Sequence, residues 1–169
     1  MAHSSYAAGT SVSVQKSKFE LDALLQRHGA TQRGYFDDDT KGEAVVAFTL
    51  RGRQYRLVLP LPKFDSFATR EVKRGHRVTK ERTTPELQRK LFEQASRERW
   101  RLFVLLVKAK LEVVALGITS AEHEFLADLV LPNGQGLHDA LKKPVEEMYI
   151  TGGPLLLGPA SATTERKPS

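Results

Sequence analysis

"ERWRLFVLLVKAKLEVV", residues 98–114, sets an unbroken apolar run, Leu102 to Val107, between basic residues on both sides. A bilayer span needs about 20 apolar residues in succession, and Lys108, Lys110 and Glu112 interrupt this one. The stretch therefore reads as part of a soluble helix. On a helical wheel Leu102–Val107 point in nearly every direction while the turns on either side are amphipathic, and a helix apolar all round is buried all round. The middle is expected to run beneath other elements, with both ends emerging.

Working outward, Thr83 with Glu86 forms a capping-box pattern, Pro85 suits a first helical turn, and the next glycine is Gly117. A helix from Pro85 to Leu116 would be about 48 Å long at 1.5 Å per residue. With Arg97 at zero and 100° per residue, Lys90, Arg101 and Lys108 fall within about 40° of one another. They make one basic stripe. Trp100 reads as a core anchor beside it rather than as a base-stacking platform.

The charge is localised. Between Lys63 and Arg101 stand 12 Lys/Arg against 6 Asp/Glu, while the rest of the 169-residue chain holds 14 of each, so the net charge of +6 belongs to this segment. Such asymmetry suits an anionic partner, nucleic acid first, DNA ahead of RNA, with an acidic protein surface or lipid headgroups behind it.

Upstream of the helix, "SVSVQ" (11–15) alternates like a short strand, and Ser17 with Glu20 reads as the cap of a helix carrying Phe19, Leu21, Leu24 and Leu25. From Arg33 to Leu59, β-branched and aromatic runs separated by Asp/Gly turns predict a three-stranded antiparallel meander. Pro60 and Pro62 end it. Lys63 to Thr84 shows no clear period, carries seven cations, and reads as a long basic loop. Downstream, Thr119 with Glu122 caps a short helix, a strand near Asp128 to Leu131 ends in a turn, and a last helix is broken or restarted at Pro144.

The expected fold is α+β: an antiparallel sheet of about four strands packed on one long central helix with shorter flanking helices. Residues 12–152 form a single domain, with 63–84 as its long basic loop and 1–11 and 153–169 as flexible ends. The chain has no cysteine, which excludes disulfides and thiolate chemistry. The first residues lack a secretory pattern, so a cytoplasmic location, with no membrane partner, is expected.

No motif names a reaction. Asp37, Asp38, Asp39 and Glu43 are the densest acidic cluster, but their spacing departs from a calcium loop and fits a solvated turn. Glu122, His123, Glu124 and Asp128 gather without a second histidine at metal-ligand spacing. No catalytic residue, metal site or cofactor is assigned. The candidate nucleic-acid contacts are Arg70, Lys73, Arg74, Arg77, Lys80, Arg82, Arg97 and Arg101, because flexible cations neutralise phosphates and release their counterions.

Three stretches, "GATQRGYFDDDTKGEAVVAFTLRGRQYRLVLPLP" (29–62), "RERWRLFVLLVKAKLEVVALGIT" (97–119) and "EFLADLVLPNG" (124–134), resemble a family of small phage- and prophage-encoded proteins. The resemblance covers most of residues 12–152 and carries no activity or catalytic residue across. It implies a context, a bacterial host cell, in which small proteins act on DNA in replication or recombination, or bind host factors. The expected function is that of a non-enzymatic nucleic-acid-binding accessory protein. A modulator that binds an acidic host protein is the alternative, followed by a divalent-metal nuclease.

Overall fold

The computed structural model describes residues 7–75 and 77–153. Helix α1 (Val14–Arg27) leads into the strands β1 (Thr31–Asp38), β2 (Glu43–Leu50) and β3 (Arg53–Pro60). A 3-10 turn (Phe64–Phe67) is followed by β4 (Thr69–Arg74), β5 (Arg77–Arg82) and the long helix α2 (Pro85–Ala115). The short helix α3 (Ala121–Glu124), a second 3-10 turn (Leu126–Asp128) and α4 (Leu137–Thr151) complete the order. The fold is α+β, with one three-stranded sheet, β1-β2-β3, and one two-stranded sheet, β4-β5, both antiparallel.

The meander forms because period-2 patterning supplies one apolar face. Ala44, Val46, Phe48 and Leu50 of β2 and Tyr55, Leu57 and Leu59 of β3 are all buried, and each of their sequence neighbours within the strands is more exposed. Arg51 and Gly52, with φ of 51° and 77°, make the two-residue connection between them, in which a hairpin whose strands twist correctly requires positive φ. Phe48, Tyr55 and Phe125 pack with ring centroids 5.6–5.7 Å apart at the centre of a core that α1 and α2 share with the sheet.

On α2 the buried residues are Trp100, Phe103, Val104, Val107, Leu111 and Val114, which fall in an arc of roughly 100°. Leu102 and Leu106 lie outside that arc and are 39% and 52% exposed. The expectation of all-round burial is thus corrected: "LFVLLV" serves two faces, one in the core and one open, because α1 and the sheet cover the helix from one side. Trp100 is a core residue, edge-on to Phe103 with Lys18 Nζ 4.9 Å from its ring centroid.

Several boundaries differ from the sequence reading. "SVSVQ" is not a strand: Ser13 caps α1 by accepting from the Lys16 N–H, and Ser17 is buried inside the helix. Thr84 rather than Thr83 caps α2, accepting from Leu87 N–H, and Ser120 rather than Thr119 caps α3. The fourth strand shrinks to two isolated bridges, Tyr55 with Leu129 on the sheet and Val130 with Gly136 beside it, since Leu126–Asp128 is a 3-10 turn. Helix α4 continues through Pro144 without a break. Of the end expected to be flexible, residues 7–11 lie on α2, where Gly9 N–H donates to Glu98 and the Thr10 carbonyl accepts from Gln94. The expected C-terminal tail, from residue 154 onward, lies outside the described residues.

Candidate nucleic-acid interface

The segment read as a long basic loop is a β-hairpin arm. Backbone pairing runs Thr69↔Arg82, Arg70↔Glu81, Glu71↔Lys80, Val72↔Thr79, Lys73↔Val78 and Arg74↔Arg77. Gly75 stands at the first of the two connecting positions with φ 61°, where the common two-residue hairpin turns demand a positive value. The local signals for this turn are present in "VKRGHRV" (72–78): a valine on each side, three residues from a central glycine. What the sequence lacks is an apolar stripe, because the arm has no core beneath it.

Its base is fixed at three points. Thr83 N–H donates to the Ala68 carbonyl at 3.0 Å, Thr83 Oγ1 donates to the Phe67 carbonyl, and Gln88 Nε2 donates to the Phe64 carbonyl at 3.1 Å. Phe64 and Phe67 both meet Phe92 of α2 edge-on, with ring centroids 5.5 and 6.3 Å away. Phe64 and Phe67 therefore belong to the foundation of the arm. Only Thr83 and Thr84 separate β5 from α2, so the arm springs from the first turn of the long helix.

Arg70, Arg74, Arg77, Lys80 and Arg82 are all exposed, and Lys73 takes its place in the ladder opposite Val78. Arg74 reaches Glu81 at 2.8 Å. Against these six cations the strands hold two acids, Glu71 and Glu81. Arginine and lysine at this density, on an element that buries none of its described side chains, give a strong local positive field in open solvent.

Arg97 and Arg101 do not join this group. They lie on α2 about 18 and 24 Å from its start, and each is engaged within the protein: Arg97 donates to Gln94 Oε1 and Arg101 pairs with Glu20 of α1. Lys90, on the same predicted stripe, pairs with Glu86 at 3.5 Å. The eight predicted residues divide into six on the arm and two on the body.

The acidic cluster is turn chemistry. Asp38 Oδ1 accepts from Thr40 N–H, Thr40 Oγ1–H and Lys41 N–H, and these hydrogen bonds hold its carboxyl below the ordinary range; Asp37 pairs with Lys18 at 2.7 Å. A cleft of about 660 Å³ beside β2 and β3 is lined by Lys41, Glu43, Arg56, Asp128, His138 and Asp139, a mixture of both signs. Asp128 is pushed up by burial there, with Lys110 and His138 opposing the shift. Among the described residues, no three His, Asp or Glu side chains converge as a metal would require, and no helix is long and apolar enough to cross a membrane. Compared with known proteins, the chain matches no family model, no curated protein and no solved structure, so the phage resemblance gains no support from them.

Proposed function

We propose that this chain binds nucleic acid without catalysis, as an accessory protein of the kind its phage resemblance implies, and that the β4–β5 arm is the contact element. One observation carries the reading: the arm places six cations on strands that no core requires and keeps Arg70, Arg74, Arg77, Lys80 and Arg82 in solvent. Folding alone gives no reason for such an arm, since an isolated two-stranded ribbon is marginal and clustered like charges repel. Phosphate supplies the opposite charge, and binding releases counterions. Arg97 and Arg101, half-buried as well as engaged, contribute less.

Titration of DNA with the full chain at several salt concentrations tests this. If all six arm cations meet phosphate, log affinity falls with log salt at a slope of about −5, so raising salt from 50 to 200 mM weakens binding about 1,000-fold. Replacing the six arm cations by alanine abolishes that dependence, while Arg97→Ala leaves most of it. No binding at 50 mM salt sinks the reading. A second reading, an acidic protein as partner, draws on Val78, 54% exposed among the cations, because phosphate has no use for an apolar side chain.

A further inference from the structure

Resting on the nucleic-acid reading, we infer that the arm is built to enter the major groove of duplex DNA. In an antiparallel ribbon, directly opposed residues share a face and successive residues alternate. The register therefore places Thr69, Arg82, Glu71 and Lys80 on one face, with Val78. It places Arg70, Glu81, Val72, Thr79, Arg74 and Arg77 on the other. Lys80 and Arg82 are exposed on the first face, and Arg70, Arg74 and Arg77 on the second. Cations face outward from both sides.

An element that lies against a single strand, or on the outer surface of a duplex, meets phosphate from one side and has no use for arginines on its back. An element enclosed between two phosphate walls needs cations on both. A ribbon measures roughly 10 Å through its two layers of side chains. That suits the major groove of B-DNA, about 12 Å wide, which takes a two-stranded ribbon without deformation, whereas the minor groove at about 6 Å takes one only when the duplex is bent and widened. A-form RNA offers no equivalent, since its major groove is too narrow for side chains to read. At about 3.4 Å per residue the six-residue strands reach about 20 Å from the base, so the arm can lie in the groove while the body stays outside. The edge-on packing of Phe64 and Phe67 on Phe92 anchors it there.

The test uses the full chain with random-sequence duplex DNA, duplex RNA and single-stranded DNA of equal length, in fluorescence anisotropy at 0.1 M salt. Methyl green serves as the major-groove competitor and netropsin as the minor-groove competitor. Two paired variants, Lys80→Ala with Arg82→Ala and Arg74→Ala with Arg77→Ala, remove cations from one face each, and circular dichroism verifies that both stay folded. Duplex DNA is expected to bind at least about tenfold tighter than the other two, to be displaced by methyl green and not by netropsin. Each paired variant loses affinity on the order of 50-fold, with the salt slope flattened by about 1.8. Equal binding to single strands or duplex RNA overturns the inference and leaves nucleic-acid binding standing, as does displacement by netropsin, or a loss confined to one face. Failure of all three nucleic acids to bind, even at 50 mM salt, overturns both.

Discussion

The hairpins β2–β3 and β4–β5 have the same connectivity and the same turn length, two residues with a glycine at positive φ, yet they are held by different forces. The first buries alternate residues on both strands; the second, among its described side chains, buries none. Ladder hydrogen bonds are common to both and contribute modestly against water. Apolar burial, at about 25 cal/mol per Å², separates a sheet that stands in the core from a ribbon that depends on its foundation. The largest effect follows from this difference. Phe48→Ala removes a ring packed against Tyr55 and Phe125 and is expected to cost about 3–5 kcal/mol in urea denaturation, whereas Val78→Ala on the arm stays within about 0.5 kcal/mol. A cost below about 1 kcal/mol for Phe48→Ala would break the distinction.

The arm's foundation gives the intermediate case. Phe92 is half-buried, and its ring receives both Phe64 and Phe67. Two edge-to-face pairs at about 0.5–1.5 kcal/mol each put Phe92→Ala at about 1–3 kcal/mol, but the loss should be local. Amide exchange of Thr69–Arg82 is expected to accelerate while that of Glu43–Leu50 keeps its protection. Equal acceleration in both strands would make the arm part of the core's cooperative unit rather than an appendage to it.

The same contrast explains what could be read from sequence. Strands β2 and β3 announce themselves because the core imposes period 2 on them, and α2 because its length and flanking breakers leave one interpretation. The arm carried β-branched residues and a turn glycine but no apolar period, so Val72 and Val78 did not stand out among charges. Its cations were visible as composition; their division between two faces depends on register, which the turn at Gly75 sets and no apolar stripe reinforces. Helical angle put Arg97 and Arg101 on one stripe of α2 with Lys90 and Lys108 but is silent about Glu20 and Gln94, the partners that engage them. The caps slipped by one residue at Thr84 and Ser120, each preceded by a threonine, since adjacent hydroxyl residues satisfy the same sequence rule.

The smallest effect compares two ion pairs, one from each region. Arg74–Glu81 on the arm stands in solvent, 75% exposed at the arginine, so Glu81→Gln is expected to change stability by under about 1 kcal/mol, and less at high salt. Lys110–Asp128 in the body spans 3.9 Å at half-buried side chains, and burial raises the Asp128 carboxyl above its ordinary range against the pull of Lys110 and His138. A raised carboxyl binds its proton more tightly in the folded protein than in the unfolded chain. The stability linked to Asp128 is therefore fully present below the ordinary aspartate range and is lost as pH rises through the raised value. In Asp128→Asn that loss disappears, so the variant should gain on the parent protein as pH climbs through the acid range, measured as the difference between their urea midpoints. A difference that moves the other way would mean that Lys110 outweighs burial and holds Asp128 charged in the fold. The half-buried pair would then add to the body's stability at neutral pH, and burial of apolar surface would no longer be the sole feature separating the body from the arm.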